Sequence, residues 1–198
     1  MTADAPLVLA SGSPRRRVLL AMLQVPVDVM PADLDEDTIA AGLDPMEAVA
    51  VLAKAKAAAV DGGDRPVLAA DTVVSLDDQI LGKPADRDHA RSLLRRQSGQ
   101  IVQVISCVAV KTPDGDVDDR IAISTLRVAD LSDETIETYL ATGDADDKAG
   151  ALAVQGAAKD FTDLLDGSRS NVVGLPLAET IELLRNAGVT VTEPGRVD

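Results

Sequence analysis

Apolar and polar residues alternate in blocks along this chain, and the block lengths predict an alternation of strands and helices. Short apolar runs predict strands at about 7–10, 27–30, 67–70 with extended chain to 76, 79–81, 102–111 and 117–129. Amphipathic or Ala-rich stretches predict helices at about 14–23, 45–60, 86–97, 132–142 and 176–186. The segment 146–158 is expected to be irregular and the tail 193–198 to be frayed.

The order of these elements predicts an α/β fold with an antiparallel portion. The sequence of residues 112–116, TPDGD, stands between two long strand patterns and indicates a hairpin. Ser13 and Asp44 each precede a proline, which is typical of a capping residue followed by the first helical position. The chain of 198 residues fits one compact domain, 1–198, or one domain with two lobes.

Composition limits the kind of core that the chain can build. Hydrophobic residues make up 46% of it, but it has one Phe, one Tyr and no Trp, so its core consists mostly of aliphatic residues. Stacking of bases on an aromatic platform is therefore mostly unavailable. The one cysteine, Cys107, lies inside an apolar run and is interpreted as a core residue.

The net charge of −14 opposes general binding to nucleic acid or to an anionic membrane. A phosphate ligand must therefore meet a local positive site. The N-terminus lacks the basic and apolar regions of a signal peptide, and no apolar stretch approaches the roughly 18 residues of a spanning helix. We expect a soluble, cytoplasmic protein.

The loop Ser11–Arg16 is a candidate anion site. It joins a strand to a helix whose first turn carries unpaired backbone N–H groups and the positive end of the helix dipole. Arg15, Arg16 and Arg17 follow in that turn, where cations are unfavourable unless an anion compensates them. Exposed surface arginines are the alternative explanation. The loop matches neither a Walker A motif nor a dinucleotide glycine fingerprint.

Acidic residues supply a second candidate. Asp71 follows four apolar residues and is predicted to end a buried strand, where open α/β sheets place ligands. A carboxylate there can hold a divalent cation or deprotonate a water, although an Asp at a strand end is often structural. The acidic run 33–37 is predicted to be a loop, and one of its members can complete a metal site with Asp71.

Several lysines are candidate phosphate ligands. Lys83 stands between Gly82 and Pro84 on a constrained loop, and Lys148 stands in the irregular segment. Lys54 and Lys56 are two apart on a predicted helix, so at most one of them enters a shared site. His89 is expected at the surface, which leaves no histidine for a catalytic triad.

Five motifs occur in one order, and together they resemble the Maf family of nucleoside triphosphate pyrophosphatases. The motifs are LASGSPRR at 9–16, ADTVV at 70–74, LGKP at 81–84, DKAGA at 147–151 with QG at 155–156, and NVVGLPL at 171–177. The resemblance covers about residues 7–185. It implies an elongated mixed β-sheet flanked by helices, with two lobes around a central cleft, and a homodimer.

The resemblance also implies roles for individual residues. Asp71 is then the proton acceptor that activates water for attack on the α-phosphorus, and Mg²⁺ or Mn²⁺ is held by Asp71 and Glu36. The implied phosphate-handling residues are Ser11, Arg16, Lys56 and Lys83, with Lys148 as a further substrate contact. Arg15, Thr72 and Gln155 match positions associated with base choice in the branch that acts on dTTP and UTP.

Two positions depart from the family pattern. Val102 stands where a histidine is common, and Leu152 stands where an aromatic residue is common, so the breadth of substrates is in doubt. The alternatives are a non-catalytic nucleotide-binding regulator linked to cell division, or a purine-type pyrophosphatase that acts on ITP or 7-methyl-GTP. A phosphatase of the haloacid-dehalogenase type needs a second Asp at position 73, which is Val.

Overall fold

A computed structural model describes residues 6–192 of the chain. The strands are β1 (Leu7–Leu9), β2 (Val27–Val29), β3 (Val67–Leu76), β4 (Gln79–Leu81), β5 (Ile101–Lys111), β6 (Val117–Val128) and β7 (Thr162–Asp166). The helices are α1 (Pro14–Met22), α2 (Glu36–Ala40), α3 (Pro45–Ala59), α4 (Arg87–Gln97), α5 (Asp133–Leu140), α6 (Arg169–Val173) and α7 (Leu177–Asn186). Two 3-10 turns, Ala149–Ala151 and Ala157–Asp160, lie in the segment predicted to be irregular.

The strands form one mixed sheet of seven strands. Its order is β2-β1-β3-β5-β6-β7, with β4 paired to β3 off this path. The β1 strand is parallel to β2 and β3, whereas β3 is antiparallel to β4 and β5, and the pairs β5–β6 and β6–β7 are antiparallel. The fold is therefore α/β with a mixed sheet flanked by helices, as predicted.

The β3 strand has two different partners along one of its edges. Its first residues pair with β1, where Leu9 is opposite Leu68. Only from Val74 onward does the same strand pair with β4. On this edge the sheet therefore has a gap at Asp71, between the end of β1 and the end of β4.

Buried side chains pack in three clusters that divide the sheet between two lobes. One cluster joins β1 and β3 to α1 and α7, and a second packs α3 on β1, β3 and β5. The third packs α4 and α5 on the other end of β3, β5 and β6, and includes Tyr139. Cys107 is fully buried under α3, which confirms its prediction as a core residue.

Local capping signals are confirmed in part. Asp44 accepts hydrogen bonds from the backbone N–H of Met46 and Glu47, and the Glu47 side chain completes a capping box at the start of α3. Ser13 occupies the N-cap position of α1, but its side chain makes no capping hydrogen bond. The hairpin at 112–116 joins β5 to β6 as predicted.

Three predictions were wrong. Asp71 does not end a strand, because β3 continues through it to Leu76 by pairing with β5 along its length. The acidic run 33–37 is not wholly a loop, because Asp35 accepts a hydrogen bond from the N–H of Thr38 and α2 begins at Glu36. The pattern also missed β7 and α6, which have five residues each.

No helix within residues 6–192 is long and apolar enough to cross a membrane. The expected fraying of the tail 193–198 concerns residues outside the described part of the chain.

Candidate active site

A cleft of about 1180 Å³ opens at the gap in the sheet. The residues predicted to bind substrate or metal or to act in catalysis all line it, namely Ser11, Arg15, Arg16, Glu36, Lys56, Asp71, Thr72, Lys83, Lys148 and Gln155. They come from the β1–α1 loop, the first turn of α1, α2, α3, β3, the loop after β4 and the segment around the 3-10 turns. The fold therefore brings together groups that lie far apart in the sequence, from Ser11 to Gln155.

A lysine between two carboxylates occupies the floor of the cleft. The Lys56 Nζ lies 2.7 Å from Asp71 Oδ1 and 2.8 Å from Glu36 Oε2. The side chains of Lys56 and Asp71 are 9% and 10% exposed, so this ion pair is shielded from solvent, whereas Glu36 reaches it from the exposed helix α2. The three charges come from α2, α3 and β3 and hold these elements together at the cleft.

The two lysines on α3 have different environments. Lys54 forms an ion pair with Asp119, with 3.4 Å between Nζ and Oδ1, and it does not line the cleft. Lys56 faces the cleft floor. Sequence spacing allowed at most one of the pair to enter the site, the family resemblance implied Lys56, and the structure places Lys56 in the cleft lining.

Arg16 is held by three hydrogen bonds on the loop side of the cleft. Its Nε donates to the carbonyl of Gly174 at 2.8 Å, its Nη1 to Ser11 Oγ at 2.9 Å, and its Nη2 to Thr72 Oγ1 at 3.5 Å. Burial lowers the pKa of Arg16, and the nearby charge of Asp71 opposes that shift. The guanidinium is thus fixed in one orientation, with further N–H donors available to an anion.

A hydrogen-bond network behind Thr72 was not predicted from the sequence. Thr72 Oγ1 lies 2.8 Å from Ser106 Oγ, and Ser106 Oγ donates to the carbonyl of Asn171 at 3.4 Å. The Asn171 Nδ2 donates to the carbonyl of Val104 at 3.0 Å and to Ser124 Oγ at 2.9 Å. The one available signal was a serine inside the apolar pattern of β5, and the contacts themselves depend on tertiary structure.

The opposite wall of the cleft carries two more lysines. Lys83 is exposed on its loop, and Lys148 forms an ion pair with Asp147. The pKa of Lys148 is lowered by burial and by the positive charge of Arg15, while Asp144 and Asp146 oppose the shift. This wall therefore carries both signs of charge, because Asp144 and Asp147 line the cleft beside Lys83 and Lys148.

Gln155 and Leu152 belong to the same segment as Lys148 and also line the cleft. Gln155 is exposed to the cleft, and Leu152 presents an apolar surface there although it is only 7% exposed. Val102, the other departure from the family pattern, is fully buried in the core and does not line the cleft. Of the two departures, only Leu152 is placed to contact a ligand.

Three other residues considered in the sequence analysis do not line the cleft, namely His89, Cys107 and Arg17. His89 is exposed, and its Nδ1 accepts a hydrogen bond from the N–H of Ala85 at 3.1 Å, as suits a surface residue. Burial raises the pKa of the Cys107 thiol to about 12, so the thiol stays protonated at neutral pH. Arg17 is exposed to solvent and does not line the cleft.

The carboxylates fit a divalent cation that shares its ligands with a substrate. Within residues 6–192, no group of three or more Asp, Glu, His or Cys side chains is arranged to hold a metal ion. Glu36 and Asp71 nevertheless both lie within 2.8 Å of one Lys56 nitrogen, so their oxygens converge on a single point. Mg²⁺ is commonly bound by one or two carboxylates together with substrate phosphates, and this pair of carboxylates suits that arrangement.

The fold and the cleft together define an α/β protein with one large cleft, lined by both cationic and carboxylate side chains. A buried carboxylate lies beside serine, arginine and lysine donors at the end of a parallel strand pair, which is where α/β sheets bind ligands. The family model described as "Maf-like protein" matches residues 6–187. The chain belongs to the Maf family.

Curated relatives resemble the chain over almost its whole length. A dTTP/UTP pyrophosphatase of Anaeromyxobacter dehalogenans is 46% identical over 185 residues, which are 92% of this chain and 94% of the relative. A protein of the same name from Novosphingobium aromaticivorans is 48% identical over 187 residues, which are 93% of each chain.

Solved structures show a weaker likeness. The Ham1 protein of Staphylococcus aureus matches with a TM-score of 0.47 and 14% identity, over 91% of this chain and 96% of that one. A HAM1 protein from Coxiella burnetii matches with a TM-score of 0.45 and 16% identity, over 63% of this chain and 73% of that one.

Proposed function

We propose that this protein hydrolyses nucleoside triphosphates to the monophosphate and pyrophosphate, with dTTP and UTP as its substrates. The observation that carries the proposal is the buried Asp71 carboxylate at the floor of a cleft whose walls supply Ser11, Arg16 and Lys83. The names of the curated relatives support the same reaction and the same pyrimidine substrates.

In the proposed reaction, Asp71 accepts a proton from a water molecule, and the water oxygen forms a bond to the α-phosphorus. The bond between that phosphorus and the oxygen bridging to the β-phosphorus breaks, and pyrophosphate leaves with the bridging oxygen. A positioned carboxylate base of this kind typically contributes about 10²- to 10⁴-fold to the rate. Asp71 is suited to it because its burial protects the transferred proton from solvent.

The cations of the cleft hold the triphosphate in this proposal. Arg16 and Ser11 bind it from the β1–α1 loop, Lys83 from the opposite wall, and Lys56 from the cleft floor. Fixed donors of this kind stabilise charge that develops on phosphate oxygens without having to reorganise. The hydrogen bond from Arg16 to Gly174 supports this role, because it fixes the guanidinium before a substrate arrives.

Glu36 and Asp71 would hold the divalent cation, Mg²⁺ or Mn²⁺, that the family implies. When bound, that cation neutralises charge on the phosphates and polarises their oxygens. Before it binds, Lys56 keeps the two carboxylates together by pairing with both of them.

The base end of the proposed substrate lies toward Arg15, Thr72, Lys148 and Gln155. Gln155 can donate to and accept from a pyrimidine edge, and Leu152 offers an apolar contact in place of an aromatic ring. We further propose a single domain over 1–198, a homodimer and a cytoplasmic location. The continuous sheet through both lobes supports the single domain.

A panel of canonical and modified nucleotides tests the function. Purified protein with Mg²⁺ or Mn²⁺ is expected to release pyrophosphate from dTTP and UTP with a higher kcat/KM than from CTP, ITP or 7-methyl-GTP. Pyrophosphate and orthophosphate are measured separately. Release of orthophosphate, a preference for ITP or 7-methyl-GTP, or binding without turnover would each contradict the proposal, and binding alone would favour a regulator.

A further inference from the structure

The segment from Lys148 to Gln155 forms the base side of the cleft in the proposed function. Most of its residues line the cleft, and the longest side chains among them are those of Lys148, Leu152 and Gln155. The side chains that hold this segment in place come from α4 and α5, which pack together on the sheet.

The backbone of the segment adopts an unusual conformation at two consecutive residues. Gly150 has a φ of 62°, and Ala151, which carries a Cβ, has a φ of 59°. A side-chain-bearing residue in the left-handed region is strained and persists only where its surroundings determine it fully. The contacts of Ala151 should therefore explain its conformation.

One buried hydroxyl holds the backbone on both sides of Leu152. The Tyr139 hydroxyl donates to the carbonyl of Ala151 at 2.8 Å and accepts from the N–H of Ala153 at 2.9 Å. Tyr139 is only 3% exposed and does not line the cleft. Its ring is fixed in turn by an edge contact with Phe161, with 5.1 Å between the ring centroids.

A second buried side chain holds the residue before the strained alanine. The Gln97 Nε2 donates to the carbonyl of Gly150 at 2.7 Å, and Gln97 is fully buried and also outside the cleft lining. The N–H of Gly150 donates to the carbonyl of Gly82 at 3.0 Å, which ties the segment to the loop that carries Lys83. Both sides of the segment are thus held before any ligand binds.

We propose that Tyr139, assisted by Gln97, is a positioning residue that sets base selectivity by fixing Leu152 and its neighbours against the nucleobase. This inference rests on the proposed function. Neither residue touches the substrate. Each acts through the backbone of the wall, so its loss should weaken recognition of the base and spare both the phosphate end and the chemical step.

The test compares Tyr139→Phe with Thr180→Val. The first change removes the hydroxyl and keeps the ring against Phe161. The second removes a buried hydroxyl that donates to the Pro176 carbonyl at 2.7 Å in α7, which is not part of the cleft lining. Values of kcat and KM are measured for UTP, CTP and GTP, together with inhibition by tripolyphosphate, which has no base.

For Tyr139→Phe, the loss of two hydrogen bonds is expected to raise KM for UTP roughly fivefold to tenfold. We expect kcat to stay within about twofold, since the reacting groups are untouched. The preference for UTP over CTP and GTP should narrow, and inhibition by tripolyphosphate should not change. Thr180→Val should leave all of these quantities as in the wild type.

The inference is overturned if Tyr139→Phe has the same kcat and KM values as Thr180→Val. It is also overturned if Tyr139→Phe weakens inhibition by tripolyphosphate as much as it raises KM for UTP. Should Tyr139→Phe not fold, Gln97→Met decides in its place with the same expectations, because it removes the donor to Gly150. A wild-type protein that releases no pyrophosphate from any nucleotide overturns the proposed function and this inference together. An active wild type with an unchanged Tyr139→Phe overturns only the inference.

Discussion

At the scale of single residues, Lys148 loses its charge at a lower pH than an ordinary lysine. The Lys148 ammonium is partly buried and lies near Arg15, and both factors lower its pKa below the ordinary lysine value of 10.5. The charged form predominates below the pKa and favours binding of the negatively charged substrate. As pH rises through the lowered pKa, that attraction is lost earlier than for an ordinary lysine.

The value of kcat/KM for UTP should therefore fall on the alkaline side, and Lys148→Arg should extend activity to higher pH because a guanidinium keeps its proton. Profiles measured from about pH 7 to about pH 10 report the ionisation of the free enzyme. Lys159→Arg, at an exposed lysine outside the cleft lining, is the control. Identical alkaline limbs in the wild type and Lys148→Arg would contradict the assignment.

Sequence reasoning found the individual charged groups of the site but not all their contacts. Asp71 and Lys83 stood out because each follows a recognisable local pattern. The choice between Lys54 and Lys56 remained open on spacing alone, since it depends on which side of α3 faces the cleft. Ser106 and Asn171 were missed because the hydrogen bond between them joins residues 65 apart in sequence.

At the scale of elements, α6 is the short helix that holds Arg16. Gly174 ends this helix with a φ of 113°, and its carbonyl accepts from Arg16 Nε. A Cβ at this position would lie 3.4 Å from Thr72 Oγ1 and 4.0 Å from Arg16 Nε. These are ordinary van der Waals contacts, so a substitution acts through the left-handed backbone, whose carbonyl accepts from Arg16.

Gly174→Ala is expected to lower the free energy of unfolding by about 1–2 kcal/mol, from the left-handed conformation, and to lower kcat/KM about tenfold. Urea unfolding and steady-state kinetics measure the two effects. Gly115→Ala is a matched control, because Gly115 has a φ of 94° in the β5–β6 turn and no atom within 4 Å of an added Cβ. Equal losses of kcat/KM in the two variants would show that only general stability matters.

An element could be predicted when residues close together in the sequence specify it, and not when it depends on tertiary pairing. The α3 helix and the β5–β6 hairpin were predicted because a capping box and a turn sequence specify them within a few residues. The β7 strand was missed because it has five residues, two of them Asp, and depends on pairing with the edge of β6. The predicted end of β3 at Asp71 was wrong because β3 goes on pairing with β5 and β4 beyond the residues that pair with β1.

At the scale of the whole molecule, the cleft results from how the sheet is assembled. The β3 strand is shared between the two lobes, and the site lies where its partner on one edge changes from β1 to β4. Five cationic side chains line the cleft of a protein whose net charge is −14, namely Arg15, Arg16, Lys56, Lys83 and Lys148. The acidic surface opposes binding of long polyanions, whereas these five side chains offer local donors to one triphosphate.

The central claim is that Asp71 activates water for attack on the α-phosphorus. Hydrolysis of UTP in ¹⁸O-labelled water should therefore put the label in UMP and none in pyrophosphate. Asp71→Asn should lower kcat at least about 100-fold. Asp119→Asn, which breaks the ion pair with Lys54, should leave kcat as in the wild type. Label in pyrophosphate, or an Asp71→Asn variant as active as Asp119→Asn, would contradict the mechanism.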